Sequence, residues 1–296
     1  VLVRLWLVLP LDFISLLKPR VMSLVVFTGF VGLFLAPGTI HPFIAVIAIF
    51  CIALGSGAAG AINMWLERET DGKMKRTKNR PLPAGRIDHN SAIEFAVITA
   101  FASVFIMAIG VNAVAALLLL SGICFYVFIY TIWLKPRTPQ NIVIGGASGA
   151  VPPLIGWAAV TGDVTIEPII LFLIIFMWTP PHFWALSLYR CDDYTKAGIP
   201  MLPVVAGVKQ TKIHILAYTL LLIPIVMLPY FVGMSGHIYA ATATMLAIKF
   251  LDHAIKVYKS DRETAPKAMF KFSILFLFMI FVSLIADRIM IDLNIW

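Results

Sequence analysis

The stretch FIAVIAIFCIALGSGAAGAI (residues 43–62) contains no charged side chain, and NMWLERETDGKMKRTKNRPLPAG (residues 63–85), which follows it directly, mixes acids and bases densely. A run of about 20 apolar residues is long enough to cross a lipid bilayer as a helix. The whole chain is 60% hydrophobic and only 13% charged, whereas soluble domains carry about 25% charged residues. The composition therefore indicates an all-α protein that crosses a membrane several times.

Apolar runs of this kind recur along the 296 residues and predict a polytopic protein with nine transmembrane helices in a single membrane-embedded domain, residues 1–296. The predicted helix cores are 17–36, 43–64, 91–110, 113–134, 141–160, 167–189, 213–232, 238–257 and 270–292. The connections at about residues 65–90 and 190–212 are longer than the others. Long connections in compact proteins are usually functional, so we expect these two loops to cap an active site.

Basic residues are distributed unevenly between the two ends of the predicted helices. Of the 23 Lys and Arg residues, all except Arg288 lie at or near the connections on one side, from Arg4 to Lys271. Positively charged loops tend to stay on the cytoplasmic side of a membrane. The asymmetry therefore predicts a cytoplasmic N-terminus and an outside C-terminus, and it explains the net charge of +8 without a nucleic-acid partner.

Asn63, Glu67 and Asp71 are spaced four residues apart, so a continuous helix would place them on one face. Their oxygens would suit Mg²⁺, which usually takes one or two protein carboxylates plus phosphate oxygens. The bases that follow directly could bind a polyanion: Lys73, Lys75, Arg76, Lys78 and Arg80. This combination favours a Mg²⁺-bridged diphosphate site. The alternative is a solvated loop with ordinary ion pairs between residues four apart.

A second acidic cluster ends the sixth predicted helix on the same side. Asp192 and Asp193 lie there between Arg190 and Lys196. Two acidic clusters at one membrane surface, each flanked by bases, predict a clamp that holds a diphosphate from two sides.

The sixth predicted helix contains MWTPPHFWALSLY (residues 177–189). Pro180 and Pro181 remove two backbone donors, so they should kink or break the helix. His182 follows at membrane depth, where an ionisable residue is a candidate for function, and neutral imidazole is a good iron ligand. A buried histidine that only makes a hydrogen bond is the alternative.

On these residues the chain resembles the UbiA superfamily of intramembrane prenyltransferases. The superfamily pattern NxxxDxxxD is similar to Asn63, Glu67 and Asp71, with Glu in place of the first Asp. Four stretches resemble the branch that prenylates haem: DGKMKRTKNRPLPAG (71–85), GGASGAVPPLIGW (145–157), TPPHFWALSLY (179–189) and DYTKAGIPMLPVVAG (193–207). A second DxxxD motif is missing, because Ala197 stands four residues after Asp193, and this too favours the haem branch.

The resemblance implies an enzyme that transfers the farnesyl group of farnesyl diphosphate to a vinyl group of haem B, with Mg²⁺ as cofactor and haem B as a substrate. The implied catalytic residues are Asn63, Glu67, Asp71 and Asp193, of which Glu67, Asp71 and Asp193 would be metal ligands. The implied diphosphate-binding residues are Lys75, Arg76, Arg80, Lys135 and Arg190. His182, as a ligand of the haem iron, and Trp184 would bind haem.

The expected location is a bacterial inner membrane with the active site facing the cytoplasm, because the sequence shows no Arg- and Ser-rich transit segment. Further expected partners are haem A synthase or an assembly factor of a terminal oxidase. Two alternatives stay open: a related enzyme that prenylates a quinone precursor or a lipid, and a transporter. A transporter would explain kinked helices but not the acidic face followed by seven basic residues before the third helix.

Overall fold

A computed structural model of the chain describes residues 10–293, which are mainly helical and contain no strand. In chain order the helices are α1 (Pro10–Leu16), α2 (Pro19–Leu35), α3 (Pro42–Leu66), α4 (Arg68–Lys73), α5 (His89–Gly110), α6 (Ala113–Leu134), α7 (Asn141–Ala150), α8 (Pro152–Thr161), α9 (Ile166–Leu188), α10 (Cys191–Ala197), α11 (Leu202–Val205), α12 (Gly207–Phe231), α13 (His237–Lys259) and α14 (Thr264–Asp292). Each predicted core is covered by long helices, with α12 and α14 beginning six residues earlier than predicted and the fifth core divided into α7 and α8. The all-α class is confirmed.

The composition of these helices supports fewer spans than predicted. Within residues 10–293, seven spans are long and apolar enough to cross a membrane, and the α1–α2 pair, bent by 53°, brings the number to at most eight. Helix α13 is too polar to qualify because its second half carries Lys249, Asp252 and Lys256. The nine spans and the orientation of the termini are therefore not confirmed. Arg4, one of the bases behind that orientation, lies outside the described residues.

Helices α2 and α8 approach each other at backbone contact. A Cβ atom at Gly156 would overlap the carbonyl oxygen of Gly29, and one at Gly32 would overlap the backbone of Pro153. At Gly145, in α7, a Cβ atom would overlap the ring of Tyr130 in α6. Small residues let membrane helices pack this closely, so the small-residue stretch 145–157 serves to pack α7 and α8 against their neighbours.

The two proline pairs affect their helices differently. The fifth predicted span is interrupted before Pro152, which starts α8 as a separate helix. Helix α9, in contrast, continues through Pro180 and Pro181, so the predicted break is absent there. Because each proline lacks the N–H that would bond to residue i−4, the carbonyl groups of Phe176 and Met177 lose their usual helical donors.

Replacing Gly156 by Ala should destabilise the protein by about 1–3 kcal/mol, because the added methyl group has no space between α8 and α2. Gly149→Ala is the matched control, since Gly149 lies in α7 of the same span and a Cβ atom there meets nothing within 4 Å. The measurement is the thermal unfolding midpoint of the purified protein in detergent. Equal midpoints for the two variants would contradict the close approach of α2 and α8.

Candidate active site

Asn63, Glu67 and Asp71 lie on successive helical turns, as their spacing predicts. Asn63 is in the last turn of α3, Glu67 joins α3 to α4, and Asp71 lies in α4. The N–H of Glu67 donates to the carbonyl of Asn63 at 3.0 Å, and the N–H of Asp71 donates to the carbonyl of Glu67 at 2.7 Å. The helical register therefore continues across the joint, and we call this line of three side chains the acid face.

Both carboxylates of the acid face are ion-paired. Lys135, which follows α6, donates to Oε2 of Glu67 at 2.6 Å. Arg80, in the loop after α4, donates to Oδ2 of Asp71 at 2.6 Å, and the Asp71 side chain is only 2% exposed. Removing one partner of a buried ion pair is strongly destabilising, so these contacts fix the loop and the end of α6 against α3. Glu67, which stands where the superfamily pattern has Asp, makes the contact with Lys135 through its longer side chain.

The pKa of Lys135 shows which charge state its pair adopts. Burial lowers the pKa of this ammonium group, but the attraction and the hydrogen bond of the Glu67 carboxylate, together with Tyr126 and Tyr194, raise the pKa above its ordinary value of 10.5. Lys135 therefore stays protonated at neutral pH and carries a positive charge beside the acid face.

Lys18 completes the acid face and was not among the predicted site residues. It precedes α2, and its Nζ donates to Oδ1 of Asn63 at 3.0 Å. Gly60, one turn earlier in α3, lies against the Lys18 stem, since a Cβ atom there would be in van der Waals contact with Lys18 Cδ at 3.4 Å. The small-residue run near the end of α3 thus packs against the side chain of Lys18.

The local structure of Lys18 is unfavourable. Its backbone is left-handed, with a φ of 53°, and within residues 10–293 no other non-glycine residue has a positive φ. This conformation costs about 1–3 kcal/mol for a residue with a side chain. Contacts with the acid face, rather than local preference, therefore account for its position, and the Lys-Pro pair was the one sequence signal for it.

Helix α6 meets the acid face through a π-helical segment, Phe125–Leu134. Thr131 Oγ1 in this segment donates to the carbonyl of Tyr126 at 2.8 Å and accepts a hydrogen bond from Asn63 Nδ2 at 3.2 Å. The rings of Tyr126 and Tyr130 stack with their centroids 5.2 Å apart. Wide helical turns occur often at functional sites, and this one brings the Thr131 hydroxyl group to Asn63 and stacks two aromatic rings in the same part of α6.

The second predicted loop lies against the first. Helix α10 contacts α4, and a cleft of about 160 Å³ between the two loops is lined by Lys75, Tyr189, Arg190, Asp192, Asp193 and Lys196. The loops thus come together as the sequence predicts. In the described part of the chain, however, no three His, Cys, Asp or Glu side chains lie close enough to hold a metal ion. Glu67, Asp71 and Asp193 therefore do not form one preformed metal centre.

The remaining predicted diphosphate ligands face solvent. Lys75 and Arg76 are exposed. Arg190 is also exposed, with its guanidinium 5.6 Å from the Tyr189 ring centroid and 3.8 Å from the Asp193 carboxylate. These bases are free to move toward an anion at the cleft, and their roles stay predictions.

His182 lies in α9 six residues before Leu188, which corresponds to a depth of about 9 Å from the helix end. Its ring is stacked between Trp178, at a centroid distance of 4.2 Å, and Phe270 of α14, at 4.7 Å. Its Nδ1 lies 2.6 Å from Ser273 Oγ. Within residues 10–293, no hydrogen bond to Nε2 is present. The ring is therefore fixed at one edge and free at the other.

Trp184, the other residue predicted to bind haem, belongs to a different interface. It is completely buried and packs edge-to-face against Tyr218 of α12, with the ring centroids 5.2 Å apart. Residues two positions apart on a helix lie on different faces, which separates Trp184 from His182. This geometry gives Trp184 a packing role, and its haem contact stays a prediction.

Solved structures share this arrangement of helices. One is a digeranylgeranylglyceryl phosphate synthase, at a TM-score of 0.78 and 19% identity, covering 93% of this chain and 97% of that one. Another is a UbiA homologue from Archaeoglobus fulgidus bound to DMAPP and Mg²⁺, at a TM-score of 0.65 and 15% identity, covering 93% of this chain and 99% of that one. At these identities the likeness establishes the fold.

Similar sequences extend over nearly the whole chain. A protoheme IX farnesyltransferase from Novosphingobium aromaticivorans is 54% identical over 283 residues, covering 94% of this chain and 93% of its own. One from Ehrlichia ruminantium (strain Gardel) is 55% identical over 271 residues, covering 92% of each chain. Residues 25–281 match the UbiA prenyltransferase family as a whole. The chain therefore belongs to the UbiA prenyltransferase family.

Proposed function

We propose that this protein transfers the farnesyl group of farnesyl diphosphate to a vinyl group of haem B, giving haem O and diphosphate. The observation that carries the proposal is the identity of 54–55% to protoheme IX farnesyltransferases over more than nine-tenths of the chain. The acid face with its surrounding bases supports it, because a diphosphate is the leaving group that such a site suits. A quinone precursor would not need an iron ligand such as His182.

The reaction breaks the bond between farnesyl C1 and the diphosphate oxygen, and the leaving group keeps the electron pair. The terminal carbon of a haem vinyl group then bonds to C1. The positive charge moves to the other vinyl carbon, where a water molecule adds and releases one proton. The product is a hydroxyethylfarnesyl group. The residues must therefore stabilise a leaving anion at one end and shield an allylic cation from early water at the other.

The acid face and its bases would bind the diphosphate end. Glu67 and Asp71 are oxygen ligands on successive turns, which fits Mg²⁺, since this ion commonly takes two carboxylates and completes its shell with phosphate and water. When bound, Mg²⁺ would supply positive charge to the leaving diphosphate. Lys18 and Arg80 already point at this face and would donate to phosphate oxygens. Asp193 and its neighbours would close the cleft from the second loop.

His182 would bind the haem end of the site. Its free Nε2 edge is suited to an iron ligand, and its stacked ring holds that edge in one direction. A depth of about 9 Å along α9 places it among apolar side chains, where a farnesyl chain can also lie. We propose that the site opens to the cytoplasm from a bacterial inner membrane, in agreement with the bacterial sources of the similar sequences.

Asp71→Asn should lower the rate of haem farnesylation by about 10²–10³-fold, because it removes a charge that organises the metal and the diphosphate. The assay incubates purified protein with haem B, farnesyl diphosphate and Mg²⁺ and detects the more hydrophobic haem by reversed-phase chromatography. Asp252→Asn is the control, since Asp252 is an exposed carboxylate paired with Lys256. An Asp71→Asn protein as active as the control would contradict the proposed site.

Lys18→Met should raise the KM for farnesyl diphosphate by about 10- to 150-fold, because one charge-assisted hydrogen bond to phosphate contributes about 1.5–3 kcal/mol. The KM for haem B should stay unchanged. Lys256→Met, which removes an exposed and ion-paired lysine, serves as the control. Steady-state kinetics with each substrate varied in turn distinguish the outcomes, and an effect on haem alone would argue against a place for Lys18 at the diphosphate.

A further inference from the structure

Ser273 is a single polar residue in an apolar part of α14 and contacts α9 at two points. Its side chain is completely buried and lies 2.6 Å from His182 Nδ1. Its carbonyl oxygen accepts a hydrogen bond from Trp178 Nε1 at 2.8 Å. Trp178 and His182 are one helical turn apart on α9, so one residue of α14 bonds two successive turns of the neighbouring helix.

The protons in this cluster can be assigned by counting hydrogen bonds. Ser273 Oγ also lies 2.7 Å from the carbonyl oxygen of Phe270, and a hydroxyl group has one hydrogen to donate. If that hydrogen goes to Phe270, Nδ1–H of His182 donates to Ser273 Oγ and both contacts are hydrogen bonds. If it goes to Nδ1 instead, two oxygens remain 2.7 Å apart with no hydrogen between them. The first arrangement is favoured because a buried polar contact left unsatisfied costs about 1–3 kcal/mol.

This assignment leaves Nε2 of His182 without a hydrogen. The tautomer of a histidine is set by the hydrogen bond that its other ring nitrogen makes, and a metal binds the nitrogen that carries the lone pair. Stacking against Trp178 and Phe270, with interplanar angles of 20° and 24°, holds the plane of the ring, and the contact of Nδ1 with Ser273 Oγ favours the orientation that leaves Nε2 at the free edge. The direction and the protonation of the free edge are thus fixed together.

We propose that Ser273 is a positioning residue that holds His182 in the tautomer with hydrogen on Nδ1, so that Nε2 presents a lone pair to the iron of haem B. This inference rests on the proposed function, since it requires haem B as the substrate and His182 as its iron ligand. Ser273 itself touches neither substrate and acts through His182.

The test titrates the purified full-length protein in detergent with ferric haem B and follows the Soret band. Ser273→Ala and the similarly sized Ser273→Cys should weaken haem binding by about 10-fold or more, the usual effect of losing the hydrogen-bond partner of a metal-bound histidine. The KM for haem B should rise while the KM for farnesyl diphosphate does not change. Ser273→Thr keeps the hydroxyl group and should restore the wild-type spectrum and affinity.

Ser283→Ala is the matched control. Ser283 is a buried serine of the same helix whose hydroxyl also donates to the carbonyl three residues earlier, at 2.8 Å, and it should bind haem as the wild type does. Wild-type spectra for Ser273→Ala and Ser273→Cys, with the band lost in His182→Ala, would overturn the role of Ser273 alone. A Soret band in His182→Ala that equals the wild-type band would also overturn the proposal, because His182 would then not be the ligand of the haem iron.

A product assay with farnesyl diphosphate and Mg²⁺ tests the proposed function separately. A wild-type protein that binds haem through His182 but forms no farnesylated haem would refute the proposed function. In that case a weakened Soret response in Ser273→Ala still supports the effect of Ser273 on His182. Size-exclusion chromatography of each variant establishes that differences in binding do not come from unfolding.

Discussion

The placement of two carboxylates at the end of an apolar helix is the constraint on which the site depends. Asp71 is 1% exposed, and a buried charge without a partner would cost several kcal/mol. Asp71 is paired with Arg80, nine residues further along, and Glu67 with Lys135, 68 residues further along. The loop after α4 must therefore fold back, and the end of α6 must lie beside α3. The ion pairs thus determine how the cap of the bundle is arranged.

The same ion pairs explain why the site suits an anionic ligand. Buried ion pairs contribute little net stability, because the loss of hydration offsets most of their attraction. They do hold ammonium and guanidinium groups in place before a ligand arrives, so binding a diphosphate needs less reorganisation. Lys18 is held at the same face by a hydrogen bond to Asn63, although its own backbone is strained.

The sequence predicts local features of this protein better than contacts between distant segments. Apolar length located the helices, and the four-residue spacing identified the acid face. Nine spans are not confirmed, because α13 is apolar in its first half and charged in its second. Arg80 and Lys135 were expected at the diphosphate, but their pairing with Asp71 and Glu67 was not predicted, since Lys135 lies 68 residues from Glu67 and only the packing of α6 on α3 brings them together.

The interface of α9 with α14 shows how a helix can pass through two prolines and still carry a precisely oriented group. Pro180 and Pro181 weaken α9 by removing two of its own hydrogen bonds. Ser273 adds contacts from outside the helix, because its carbonyl oxygen and its hydroxyl oxygen each contact a side chain of α9, Trp178 and His182. The segment next to the prolines is thereby held by α14, and His182, directly after them, takes its direction from that neighbouring helix. Orientation of the proposed haem ligand is therefore a property of helix packing, and it depends on a serine that lies 91 residues further along the chain.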